Sequence, residues 1–166
     1  IQDSLVGSEM CIRDRPGQRG VIASASYEAR AKGVRSAMAS SKALKLCPNL
    51  KLVSSNRPMI RSCSAKVMEI LARYGTLEKM SVDEAFVDLS LQKNPEALVK
   101  TILKRIKSET NLPSSAGLAT SKLVAKIASD FDKPEGFTVV KPGLESKFLA
   151  PLEIKKIYGI GPKTCL

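Results

Sequence analysis

Histidine and tryptophan are both missing from this sequence, and only seven of its 166 residues are aromatic. Without histidine there can be no Ser-His-Asp triad, no Cys-His pair and no imidazole-ligated zinc, so proton transfer or metal binding must rely on carboxylates, Lys, Tyr, Cys or water. The shortage of aromatics also argues against a sheet that stacks RNA bases on its face. Four cysteines, Cys11, Cys47, Cys63 and Cys165, are widely spaced and form no C-x-x-C. That spacing fits neither a zinc knuckle nor a dense disulfide framework, and it is read as reduced thiols in a cytoplasmic protein. No run of about 18 apolar residues exists, so no membrane-spanning helix is expected.

What is present is a globular composition, 43% hydrophobic and 26% charged, with a formal net charge of +11. The charge is unevenly spread. Residues 15–66 hold eleven basic residues and one acid, Glu28, for a net +10, which leaves +1 for the rest of the chain. One contiguous third therefore carries nearly all the excess, the asymmetry expected of a surface that faces a polyanion. A solvated basic face is the plain alternative, and an anionic membrane surface lacks the amphipathic basic helix it would need.

Residues 1–15 show no period of 2 or 3.6 and no signal-peptide pattern, and they are expected to be a non-native leader outside the fold. Beyond them, residues 20–26 read as a strand, 27–32 as a helix stopped by Gly33, 39–46 as a helix and 50–53 as a strand. A long helix is expected from Pro58 to Tyr74, followed by a hairpin of strands at 77–80 and 85–89. Asn94-Pro95-Glu96 has the residues of a helix start, and Leu98, Ile102 and Ile106 give that helix one apolar stripe. A strand at 115–119, a helix from the capping Ser121 to about 130 and a strand at 137–140 complete the pattern. With one further strand, this order matches an α+β fold with a split βαβ, ferredoxin-like sheet.

The residues best suited to chemistry lie in S-V-D-E-A-F-V-D, residues 81–88. At a hairpin tip, neighbouring Asp83 and Glu84 can converge, and Mg²⁺ prefers such hard oxygens together with water and substrate phosphates. Taken alone, an acidic turn is more often only a soluble turn. Two other stretches change that weighting: V-I-A-S-A-S-Y-E-A-R-A-K-G-V-R-S-A-M at 21–38 and S-A-G-L-A-T-S-K-L-V-A-K-I-A-S-D-F-D-K-P-E-G at 115–136. In this order, the three motifs resemble the Y-family, translesion DNA polymerases, most closely their DNA polymerase IV branch.

The resemblance implies a fingers region at 16–55, a palm at 56–142 and the start of a helical thumb at 143–166. It implies template-directed nucleotidyl transfer with two Mg²⁺ ions, Asp83 and Glu84 being metal ligands and catalytic carboxylates. Ser24, Tyr27, Arg30 and Lys133 correspond to triphosphate contacts, and Ala37 to a small residue over the templating base. Gly159, Gly161 and Lys163 correspond to a helix-hairpin-helix turn against DNA phosphate, where glycines let backbone amides approach closely. Primer-template DNA, deoxynucleoside triphosphates and a sliding clamp, reached through regions absent from this chain, are the implied partners. The family's D-x-D-x-F-F-like first palm strand, which supplies a third carboxylate and a steric gate, has no counterpart here, so these residues alone are expected to be inactive. The alternative is a non-catalytic nucleic-acid-binding module with a ferredoxin-like sheet.

Overall fold

The structure is a computed structural model that describes residues 9–12, 20–161 and 164. It divides into two compact units, residues 1–60 and 61–166, with the helix α3 (Arg57–Ala72) running across the division.

In the first unit, β1 (Glu9–Ile12) is the middle strand of a three-stranded sheet, antiparallel to β2 (Ile22–Ala25) and parallel to β3 (Lys51–Ser54). The expectation that residues 1–15 lie outside the fold is therefore corrected for Glu9–Ile12. The strand's place is set by the backbone groups that β2 and β3 offer on either side. Between the outer strands come α1 (Tyr27–Ala31) and α2 (Ser40–Leu46). Ser26 caps α1 by accepting from the Ala29 amide, and Gly33, at φ +87°, turns the chain out of it. Small residues dominate the core, where Ala25, Ala29 and Ala43 pack with Ile22, Val34, Cys47 and Leu50.

The second unit is α+β, as expected. Strands β4 (Thr76–Lys79) and β5 (Ala85–Asp88) form an antiparallel hairpin, and β6 (Ala116–Leu118) pairs in parallel with β7 (Phe137–Val139). The two pairs are separate sheets among the described residues, where a single four-stranded ladder would be the simplest ferredoxin-like form. The parallel pair needs a crossover, and α5 (Lys122–Phe131) supplies it, packing on both strands. Helix α4 (Pro95–Thr110) is capped by Asn94, whose side chain accepts from the Ala97 amide at 3.1 Å. Its buried Ile102 and Ile106 meet Ile70 of α3, with Val67, Leu71, Tyr74 and Leu98 around them. A second cluster joins Val124 and Ala128 of α5 to Val140, Phe148 and Leu149, the last two on the short helix α6 (Glu145–Leu149). A single 3₁₀ turn, Ile154–Lys156, follows. Among the described residues no helix is long and apolar enough to cross a membrane.

Candidate functional site

Three of the expected site residues, Ser24, Tyr27 and Arg30, follow one another in the first unit because β2 runs directly into α1. Ser24 is exposed on β2, one residue before the buried Ala25. Tyr27 opens α1 and is 53% exposed, and the Arg30 guanidinium lies 5.6 Å from its ring centroid. That geometry is a cation–π contact between two exposed side chains. Arg30 Nε donates to the Ala25 carbonyl at 2.9 Å, which fixes one edge of the guanidinium and leaves the rest of the planar fork for an anion. The Arg30 carbonyl accepts from the Arg35 guanidinium, which also donates to the Val34 carbonyl at 2.9 Å, so a second arginine is held at the end of the same helix.

Ala37 is placed by the return of the chain along β2. Its amide donates to the Ile22 carbonyl at 2.8 Å, and the Ile22 amide donates to the Met38 carbonyl at 2.8 Å. To make this turn Ala37 takes a φ of +65°, a conformation that side-chain-bearing residues seldom adopt. It is exposed.

In the second unit the carboxylates lie at the tip of the β4–β5 hairpin. The Met80 and Ser81 amides both donate to the Glu84 carbonyl, at 3.0 and 3.1 Å, and so close the turn. Asp83 is exposed and accepts from the Ser81 hydroxyl at 2.8 Å. Glu84 has a different partner: its Oε1 accepts from Lys126 Nζ at 2.7 Å. Lys126 also donates to Asp130 Oδ2 at 3.0 Å, and Lys133 pairs with Asp130 Oδ1 at 2.5 Å. The expected phosphate contact Lys133 is therefore tied by two ion pairs to the lysine that holds the carboxylate hairpin.

Charge in this chain is partly buried, with the Lys126 side chain only 12% exposed. Burial, the largest single influence on that ammonium, pulls its pKa down, but the hydrogen bonds to Glu84 and Asp130 outweigh it and the value lies above the ordinary lysine range. For Asp130, burial pushes upward, and the bonds from Lys133 and Lys126 reverse it to a value below the ordinary aspartate range. Sequence reading names neither Lys126 nor Asp130. The available signal is their spacing of four on one helix face, with Lys126 set among the apolar residues of L-V-A-K-I-A.

The remaining candidates lie near the end of the chain. Gly159 has φ +88°, and a Cβ at either Gly159 or Gly161 would meet nothing within 4 Å, so the backbone there is open to an approaching group. Lys163 lies outside the described residues.

Two adjacent hard carboxylates are a donor set that suits Mg²⁺, which is commonly held by one or two carboxylates with water and substrate phosphates making up the remainder. Among the described residues no group of three or more His, Cys, Asp or Glu is arranged to hold a metal by itself.

An α+β chain with a basic, arginine-bearing β–α turn and a carboxylate hairpin answers to a known class: the sequence profile of the impB/mucB/samB family matches residues 1–130, and the chain belongs to that family. Among its relatives, the DNA polymerase IV of Akkermansia muciniphila is 45% identical over 155 residues, covering 90% of this chain and 43% of that protein. The DNA polymerase IV of Shewanella woodyi is 43% identical over 165 residues, covering 96% and 45% respectively. Of the solved structures, DinB from Sulfolobus solfataricus superposes with a TM-score of 0.89 at 30% identity, over 95% of this chain and 48% of that one. The insertion ternary complex of Dbh DNA polymerase gives a TM-score of 0.86 at 30% identity, over 93% and 47%. A Y-family DNA polymerase chimera also matches, with a TM-score of 0.85. The resemblance read from the three motifs is borne out. The chain spans less than half the length of the relatives named here.

Proposed function

We propose that this chain contributes the nucleotide- and metal-binding parts of a DNA-directed DNA polymerase of the translesion type, acting in the cytoplasm on primer-template DNA and deoxynucleoside triphosphates. One observation carries the reading: three separated motifs, in order, lie on a chain that superposes over 95% of its length on a DinB family error-prone DNA polymerase from Sulfolobus solfataricus. Residues 16–55 then serve as fingers, 56–142 as palm and 143–166 as the start of the thumb.

Asp83 and Glu84 hold the divalent ion in this reading. A bound Mg²⁺ would supply charge stabilisation to the phosphoryl group being transferred. Arg30 presents the open part of its fork to phosphate oxygens of the incoming nucleotide, Tyr27 and Ser24 each offer a neutral hydroxyl donor, and Lys133 adds a point charge. Ala37 faces the templating base with the smallest side chain that is not glycine, leaving room for altered bases. Gly159, Gly161 and Lys163 meet a DNA phosphate. We also propose that the 166 residues alone extend a primer poorly, because two adjacent carboxylates are too few to hold two ions.

The test is a chimera in which residues 20–161 replace the matching segment of the Akkermansia muciniphila DNA polymerase IV. Mg²⁺-dependent primer extension is expected to persist, and Asp83→Ala is expected to lower kcat/KM by ~100-fold or more. Retained extension in Asp83→Ala would overturn the metal assignment. Arg30→Ala should mainly raise the KM for nucleotide, and an unchanged KM removes it from the triphosphate site.

A further inference from the structure

Lys126 has no part in the polymerase reading above, yet it stands in a chain of ion pairs that runs from Glu84 through Lys126 and Asp130 to Lys133. Its side chain is 12% exposed, and its ammonium bridges Glu84 Oε1 at 2.7 Å and Asp130 Oδ2 at 3.0 Å. An ammonium is strongly hydrated, and one withdrawn this far from water is retained only where carboxylates replace the water. Here one of those carboxylates is the candidate metal ligand. The other, Asp130, lies one helical turn along from Lys126 and is itself held by Lys133. The neighbouring lysine of the same helix behaves differently: Lys122 pairs with Glu78 of β4, and its side chain is 62% exposed.

The geometry points to Lys126 as a resident cation of the carboxylate hairpin, one that holds Glu84 when no divalent ion is bound and competes with that ion for the same carboxylate. The inference rests on the metal reading of Asp83 and Glu84. Lys126 bonds one oxygen of Glu84, so a divalent ion arriving beside Asp83 meets a carboxylate already oriented but already partly neutralised. The two cations repel across Glu84, and the ammonium has a second carboxylate, Asp130, on which to remain as Glu84 turns to the ion. Asp130 is thus the part that lets Lys126 give way without becoming a buried unpaired charge. Lys126 is accordingly a positioning residue whose effect falls on metal affinity.

The experiment is direct titration of the full 166-residue chain with Mn²⁺ at low ionic strength, following the electron paramagnetic resonance signal of the free ion and checking folding by circular dichroism. Lys126→Met keeps the apolar stem and removes the charge, and it is expected to bind Mn²⁺ roughly three- to tenfold more tightly than the parent. Lys126→Arg should bind as the parent does. Lys122→Met, which removes an equal charge from the exposed pair with Glu78, should change affinity by less than about twofold. Asp130→Asn, at a half-exposed position, should weaken binding by confining the ammonium to Glu84, and it tests the idea even if Lys126→Met does not fold. Unchanged or weaker binding in a folded Lys126→Met, or tighter binding in Asp130→Asn, overturns the inference. So does an equal gain in Lys122→Met, which would mean net charge alone is responsible. Asp83→Ala separates the two levels: if it abolishes binding while Lys126→Met changes nothing, the metal site stands and the role of Lys126 falls. Parent-like binding in Asp83→Ala, or no binding by any variant, removes the metal reading and this inference with it.

Discussion

At the scale of single residues, the clearest strain in the candidate nucleotide site is at Ala37. Its φ of +65° is imposed by hydrogen bonds between residues 37–38 and Ile22, so the side chain cannot relax by letting the backbone go. A Cβ in this region costs on the order of 1 kcal/mol, and a β-branched one costs more. Ala37→Gly should therefore raise the free energy of unfolding by up to ~1 kcal/mol, and Ala37→Val should lower it by about 1–2 kcal/mol, both read by urea denaturation. A destabilised glycine variant would contradict the conformation. Nothing in S-A-M announces this φ, because the usual markers, Gly and Asn, are absent. Lys126 was hidden for a related reason. Its spacing from Lys122 and Asp130 is that of a solvated face, and only the tertiary position of the hairpin carboxylate makes it a half-dry bridge. Tyr27, Arg30, Asp83 and Glu84 were singled out only through the resemblance of three motifs in order, since each taken alone reads as an ordinary surface or turn residue.

Elements were easier to read where a cap or a turn residue marks them. Asn94 and Ser121 each accept the hydrogen bond that starts the following helix, from Ala97 at 3.1 Å and Val124 at 3.3 Å. Strand β1 had no such marker, and its existence depends on partners ten or more residues away. The short α6 was missed as well, since its Leu144 cap makes no side-chain hydrogen bond. The contact of α5 with β6 depends on Gly117, where a Cβ would sit 2.1 Å from the Ala125 carbonyl oxygen and 2.5 Å from the Ser129 amide nitrogen. Both atoms belong to helix backbone, so the helix would have to move away. Gly117→Ala is expected to cost about 1–3 kcal/mol in chemical denaturation, and a loss below ~0.5 kcal/mol would mean that α5 is not seated this closely. The same helix should show a pH signature. Asp130 is held below the ordinary aspartate range, so its contribution is complete above the unfolded value and is lost as pH falls through the lower folded value. Asp130→Asn should flatten the acid limb of the stability curve. An acid limb as steep as the parent's would remove Asp130 from the linkage.

On the scale of the whole molecule, the uneven charge becomes a statement about which lysines and arginines are available. The nine described basic residues of the 15–66 segment are all exposed, and among the described residues none is in an ion pair with a carboxylate. Of the fourteen described basic residues outside that segment, seven are in ion pairs: Arg73, Arg105, Lys107, Lys122, Lys126, Lys133 and Lys155. A paired cation must leave its carboxylate before it can neutralise a phosphate, whereas an unpaired one releases a condensed counterion from DNA at no such cost. Binding of primer-template DNA should therefore draw mainly on the 15–66 segment, where every described cation is unpaired and Glu28 is the one acid among them. If this segment contacts about four phosphates, log Kobs should fall with log salt at a slope of roughly −3 to −4. Lys42→Gln and Lys45→Gln, both on α2, should each lower affinity and each flatten that slope by about one unit. Lys107→Gln, which removes a lysine already paired with Glu135 at 2.8 Å, should leave the slope within about 0.3 of the parent's. Fluorescence anisotropy with a labelled primer-template, repeated from low to moderate salt, measures all three. Equal flattening in Lys107→Gln would mean that the phosphate contacts are spread over the whole chain, and that the charge asymmetry so plain in the sequence does not set where DNA binds.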